Sequence, residues 1–119
     1  MVNDDPTLTN PDHYRTLWEN EHVRVLEYTD VPGDATTPHD HPNSVMVTLS
    51  AFERRLSAGE RVFDTQLPPG AAVWIPAQRH SGENTGSTPT HTILVELKGE
   101  AAGVAQGTTL GPEQPGATA

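Results

Sequence analysis

Short alternating runs of residues, each cut off by proline or glycine, set the limits on how this chain folds. It carries 11 prolines and 10 glycines in 119 residues. No stretch sustains a helical period, apart from a single turn expected near Asp12–Trp18. His22–Tyr28, Ser44–Leu49, Phe52–Leu56, Arg61–Leu67, Ala71–Ile75 and Thr90–Leu97 read instead as strands. Val31-Pro32-Gly33, Ser57-Ala58-Gly59-Glu60, Pro68-Pro69-Gly70 and Pro76 punctuate them. Short strands broken up in this way predict an all-β sandwich or barrel. Side chains two apart on a strand share a face. Ser44, Met46 and Thr48 therefore lie opposite Val45, Val47 and Leu49. In the last strand His91, Ile93, Val95 and Leu97 share the face expected to look inward.

The length suits one domain. Residues 1–20 are expected as an N-terminal arm, 21–98 as the barrel and 99–119 as a flexible or extended tail. That tail is Gly, Ala, Thr and Pro without hydrophobic period, too apolar-poor to offset its ordering entropy. The chain has no cysteine, which excludes disulfides, thiolate ligands and a cysteine nucleophile. Met1–Pro11 has no basic stretch followed by an apolar one, so it does not read as a signal peptide. No apolar run reaches the roughly 20 residues of a membrane span. A cytoplasmic location is the expectation. Seven Lys+Arg against 16 Asp+Glu give a net charge of −9, which argues against nucleic acid and anionic membranes as partners.

Chemistry concentrates in two segments. In Pro38-His39-Asp40-His41-Pro42 the two histidines stand two apart and, in extended chain, aim at one point. In Gly70-Ala71-Ala72-Val73-Trp74-Ile75-Pro76-Ala77-Gln78-Arg79-His80-Ser81-Gly82-Glu83-Asn84 a strand ends at a proline and a lone histidine follows in a turn. Taken singly, each segment equally describes surface or structural histidines. Together they resemble the cupin superfamily. Gly33, His39 and His41 match its first motif, and Gly70, Pro76, His80 and Asn84 match its second. The resemblance covers about Val23–Lys98 and implies a double-stranded β-helix, or jelly-roll barrel. It implies His39, His41 and His80 as ligands of one divalent transition metal: Fe, Zn, Mn, Ni or Cu. Two departures stand out. Val45 and Met46 occupy the place of the first motif's glutamate, and the turn before His80 is one residue short and lacks its glycine. The stretches Val23–Tyr28, His39–Met46, Pro76–Asn84 and Val95–Lys98 are also similar to small stand-alone bacterial cupins, one of them linked to β-alanine degradation.

Met46, Trp74, Arg79 and His91 are the candidate substrate-binding residues. Met46 and His91 would line the interior, Arg79 could clamp a carboxylate, and Trp74 could serve as a platform. Glu83 is a candidate acceptor behind a ligand histidine, and Asn84 a turn stabiliser. Arg54 and Arg55 are adjacent, so one of them reaches the interior. His13 and His22 read as surface residues. No residue stands out as catalytic. The resemblance implies a metal-dependent enzyme, oxygenase-like or isomerase-like, on a small organic acid or metabolite. The rival is a non-catalytic binding or sensing module. A homodimer formed through edge strands is expected.

Overall fold

The computed structural model describes residues 4–105 and 109–113. Among the described residues nine strands form: Tyr14–Glu19 (β1), Val23–Asp30 (β2), His39–His41 (β3), Ser44–Thr48 (β4), Phe52–Ala58 (β5), Arg61–Leu67 (β6), Ala72–Ile75 (β7), Gln78–Asn84 (β8) and Thr90–Leu97 (β9). They build two antiparallel sheets, ordered β1-β2-β9-β4-β7 and β3-β8-β5-β6. Among the described residues no helix is long and apolar enough to cross a membrane.

The sequence-read strands recur with small changes at their ends, and β1, β3 and β8 are additions. The helical turn expected at Asp12–Trp18 falls largely on β1. The helix lies earlier, at Pro6–Thr9 (α1), where Asp5 caps Thr7 N and Pro6 opens the first turn. The segment expected as an arm therefore supplies an edge strand to the larger sheet. Glu83 and Asn84, which read as the start of a turn with Thr85 and Gly86, instead continue β8. Gly82 has a steric reason to be glycine, because a Cβ there would come within 2.8 Å of Arg54 Nη2.

The two sheets face each other across a mixed interior. Tyr14, Leu26, Tyr28 and Leu94 form one apolar cluster, and Phe52, Leu67, Val73 and Ile75 another. Met46 packs against both. Buried between them are His39, His41, His80, Gln78, Arg54, Asp30, Asn84 and Glu96. Every buried side-chain nitrogen and oxygen among the described residues has a hydrogen-bond partner. An interior this polar, and this fully satisfied, is what a lined site requires.

Strand β9 corrects the sequence reading. The alternation is as expected, but Thr90, Thr92, Leu94 and Glu96 are the buried set. His91, Ile93, Val95 and Leu97 lie on the outer face, so His91 does not line the interior. The tail expectation changes too. Gly99–Ala102 is a 3-10 turn, and Gly111 and Pro112 are buried. Glu113 N donates to Trp74 O at 2.9 Å, extending the β7 edge. The rest of the tail call, at 106–108 and 114–119, lies outside the described residues.

Candidate metal centre

Strand pairing assembles the centre. β3 and β8 are antiparallel with His39 opposite His80 and His41 opposite Gln78. Period-two geometry turns all four side chains inward. One nitrogen from each of His39, His41 and His80 lies within 4.8 Å of the others. Their ring centroids are 4.7–5.0 Å apart. His80, expected in a turn, sits on a strand directly paired to the one that carries the other two.

The partners of each imidazole decide which nitrogen carries hydrogen. His39 Nδ1 donates to Thr37 O at 2.7 Å. His41 Nδ1 faces Glu96 Oε2 at 3.3 Å, and a carboxylate has no proton to give. His80 Nδ1 faces Gln78 Oε1 at 2.7 Å. The Gln78 amide cannot be flipped, because Gly111 N donates to the same Oε1 at 2.7 Å. Its Nε2 donates to Pro76 O and Gly111 O. All three Nδ1 atoms are thus engaged as donors. In each neutral ring the Nε2 lone pair is left for the centre.

Electrostatics keep His39 and His80 in that form. Burial, then the neighbouring His41, pushes His39 down to about 3. Burial, then His41 and His39, holds His80 well below the usual histidine range. Neutral imidazoles with bare Nε2 atoms are ready to ligate without first losing protons. The donor set therefore fits a transition metal held by nitrogen.

Two residues of the centre escaped sequence reasoning. Glu96 replaces Glu83 as the carboxylate behind a ligand, since Glu83 is exposed on the outer face of β8. Glu96 is split between His41 and Arg24, whose Nη2 is 2.7 Å from Oε1. Carboxylate–histidine pairs of this kind orient a metal-ligating ring. The signal was an acid inside the aliphatic run Ile93-Leu94-Val95-Glu96-Leu97. Tyr14 is the other: its hydroxyl is 3.3 Å from both His39 Nε2 and His41 Nε2.

The histidines open into a cavity of about 60 Å³. Tyr28, Met46, Phe52, Arg54 and Pro112 are among its walls. Of the four candidate substrate-binding residues, Met46 alone faces it. Trp74 is on the opposite face of β7 from the buried Val73 and Ile75. His91 is outside, paired with Glu27 at 2.8 Å. Arg79 lines an open groove that reaches His80 from outside, and it bonds Asp4 at 2.7 Å and Asp40 at 3.3 Å. Of the two adjacent arginines, Arg54 is the one inside, while Arg55 pairs outside with Asp64. Asn84 binds Thr88 O and receives Gly86 N, closing the turn after β8.

No protein-family description matches this sequence, and no curated protein does either. Solved structures do match. A cupin domain from Bordetella pertussis Tohama I is 26% identical, with 72% of this chain and 92% of that one aligned at a TM-score of 0.67. A double-stranded β-helix protein from Klebsiella pneumoniae is 24% identical over 76% of this chain and 78% of its own, at 0.58. The polyketide cyclase RemF from Streptomyces resistomycificus is 19% identical over 71% and 63%, at 0.55. The chain thus has the cupin double-stranded β-helix fold, with three buried histidines that could hold a metal ion.

Proposed function

We propose that this chain is a metal-dependent enzyme acting on a small organic acid or similar metabolite, with His39, His41 and His80 holding one divalent transition metal. One observation carries the reading: three buried imidazoles, each pinned through Nδ1, turn their Nε2 atoms to a common point. Iron, zinc, manganese, nickel and copper all accept such donors. An ion held there supplies Lewis-acid charge and, for the redox metals, electron transfer. The histidines add no charge of their own, so the centre favours an anionic ligand such as a carboxylate. Phe52, Ile75 and Leu94 keep water out of the cavity, and Met46 contacts the ligand's apolar part. Arg79 would meet the ligand from the outer groove, where it lies beside His80.

The cavity of about 60 Å³ limits the ligand to a few heavy atoms, since drug-sized ligands need roughly 300–1,000 Å³. A polyketide exceeds that. The motif resemblance read in the sequence, to cupins one of which is linked to β-alanine degradation, makes β-alanine and other short acids the first compounds to assay. A second reading, a binding or sensing module, is favoured by one fact. Among the described residues lining the cavity there is no carboxylate to act as a base.

Metal analysis of the purified protein, combined with O₂ uptake and product detection across short carboxylic acids, separates the readings. We expect about one metal per chain and turnover, both lost in His80→Ala. Tight acid binding without turnover in the metal-loaded protein selects the module. Failure to bind any of the five metals removes the enzyme and leaves only a metal-free module.

We also infer a homodimer, through a sheet face rather than an edge. Trp18, Val25, Val95, Val45 and Trp74 are partners in register across all five strands of the larger sheet. They form an apolar row on its outer side, exposed at Trp18 (55%) and packed in at Val25 (8%). Light scattering is expected to give twice the chain mass, falling to the monomer in Val95→Lys. A monomeric wild type at micromolar concentration rejects the inference.

A further inference from the structure

We propose that Tyr14 is the fourth donor of the metal centre, so that the ion is held by three imidazoles and one phenol oxygen. The proposal rests on the metal-binding reading of His39, His41 and His80.

Distance is the first argument. The Tyr14 hydroxyl lies 3.3 Å from His39 Nε2 and 3.3 Å from His41 Nε2. With metal–nitrogen and metal–oxygen bonds of about 2.0–2.1 Å, neighbouring corners of a tetrahedron are about 3.3 Å apart. The oxygen therefore stands at donor spacing from two of the three ligand nitrogens.

Proton counting is the second. Both Nε2 atoms are acceptors, because both Nδ1 atoms are committed as donors. A phenol has one proton and can satisfy one of them. The phenol oxygen keeps lone pairs of its own, and a cation placed between the three groups would meet them together with both Nε2 atoms. On ligation the phenol O–H bond breaks, its proton leaves to solvent, and the oxygen bonds the metal. No electron changes hands.

Charge is the third. No carboxylate among the described residues faces the centre. Glu96 is held by His41 and Arg24, and Asp30 by Arg54. Val45 and Met46 stand where the motif has its glutamate. Burial holds the Tyr14 hydroxyl protonated well above the usual phenol range in the metal-free chain, so the single negative charge of a phenolate would arise only with the ion bound.

The position of Tyr14 is also built rather than incidental. It is 8% exposed, opens β1 opposite Tyr28, and packs on that ring at 4.7 Å between centroids. Its ring touches both histidines, at 5.4 Å and 5.6 Å. A side chain so fixed cannot swing away when the ion arrives.

The test is spectroscopic. The full chain is loaded with iron(II) under nitrogen and oxidised with one equivalent of ferricyanide. We expect a visible tyrosinate-to-iron(III) charge-transfer band, absent in Tyr14→Phe at equal bound iron and retained in Tyr28→Phe, whose hydroxyl is bonded to Asp30. Iron affinity of Tyr14→Phe should fall by about tenfold or more, since even groups behind the ligands change affinity 10–100-fold. Iron bound without the band, or a band that survives Tyr14→Phe or disappears with Tyr28→Phe, overturns the proposal and leaves the three-histidine centre standing. No bound iron, zinc or copper in the wild type overturns the centre itself. Thermal melts of both variants separate misfolding from loss of a donor, and a misfolded Tyr14→Phe is replaced by Tyr14→His. An imidazole there keeps a donor but removes the band.

Discussion

Asp30→Ala is expected to destabilise the fold by about 3–5 kcal/mol, the usual cost of leaving one charge of a buried pair alone. Asp30 is the hub of the polar interior. It receives Arg54 Nη1 in a short contact, Tyr28 OH at 2.5 Å, Asn84 Nδ2 at 3.0 Å and Thr90 N at 3.3 Å. Burial alone would raise its pKa. The Tyr28 hydrogen bond and the Arg54 charge overcome that and hold it below the usual carboxylate range. Without the carboxylate, Arg54 keeps only Thr90 Oγ1 at 3.2 Å, Tyr28 OH at 3.1 Å and the Tyr28 ring face. None of these carries charge. A domain is stable by about 5–15 kcal/mol in total, so the loss consumes a large part of it. A drop of roughly 15 °C in Tm follows for a domain of about this size. Urea melts provide the measurement. The double variant Asp30→Leu/Arg54→Met should be more stable than Asp30→Ala, because an apolar replacement strands no charge. A loss under about 1 kcal/mol for Asp30→Ala, or a double variant worse than the single, would show that the pair is not desolvated as drawn.

The strand pattern was legible because proline and glycine mark the turns, and period two marks the strands. His39 and His41 were legible for the same reason. Which face of β9 looks inward was not. Alternation defines two faces, and the more apolar one was taken for the interior. Here the barrel encloses a polar site, so Thr90, Thr92 and Glu96 go inside with Leu94, while Ile93, Val95 and Leu97 join the outer apolar row. Period fixes the grouping of side chains, but burial depends on what the opposite sheet presents. The same limit explains Trp74 and His91. Tyr14 was missed because its contacts come through tertiary pairing, β1 on β2 in one sheet and β3 in the other, with no local sign. Gln78 was considered only as a turn residue. Its role depends on β8 being a strand and on Gly111 arriving from the tail. Gly111 has a positive φ of 82° there, and a Cβ would collide with Phe63 at 2.5 Å. Composition suggested an unpacked tail, and this glycine permits the docking.

Acidification should destabilise the metal-free protein between pH 6.5 and about pH 4, with the steepest loss below pH 6. The groups responsible are His39, pushed down to about 3, and His80, held well below the usual range. Both pKa values are lower in the folded chain than in the unfolded one. The unfolded state therefore binds more protons in this window, and stability falls as pH falls. The stabilisation is fully present above the unfolded pKa of about 6.5 and declines toward the folded values. At pH 5 His39 costs about 2 kcal/mol, from 1.5 pH units at about 1.4 kcal/mol per unit. His80 adds to that loss in the same direction. Carboxylates such as Asp5 and Asp30 are held below their ordinary range, so their losses begin at lower pH and leave this window to the histidines. The measurement is a series of urea melts in chelator from pH 7.5 to 4.5. Repeating it with saturating zinc should raise stability at pH 7 by mass action. It should also steepen the acid limb, because protons then compete with the ion. A metal-free stability that stays flat from pH 7 to pH 5 would mean that the three rings are hydrated or apart, and the centre inferred from their tautomers would fall with it.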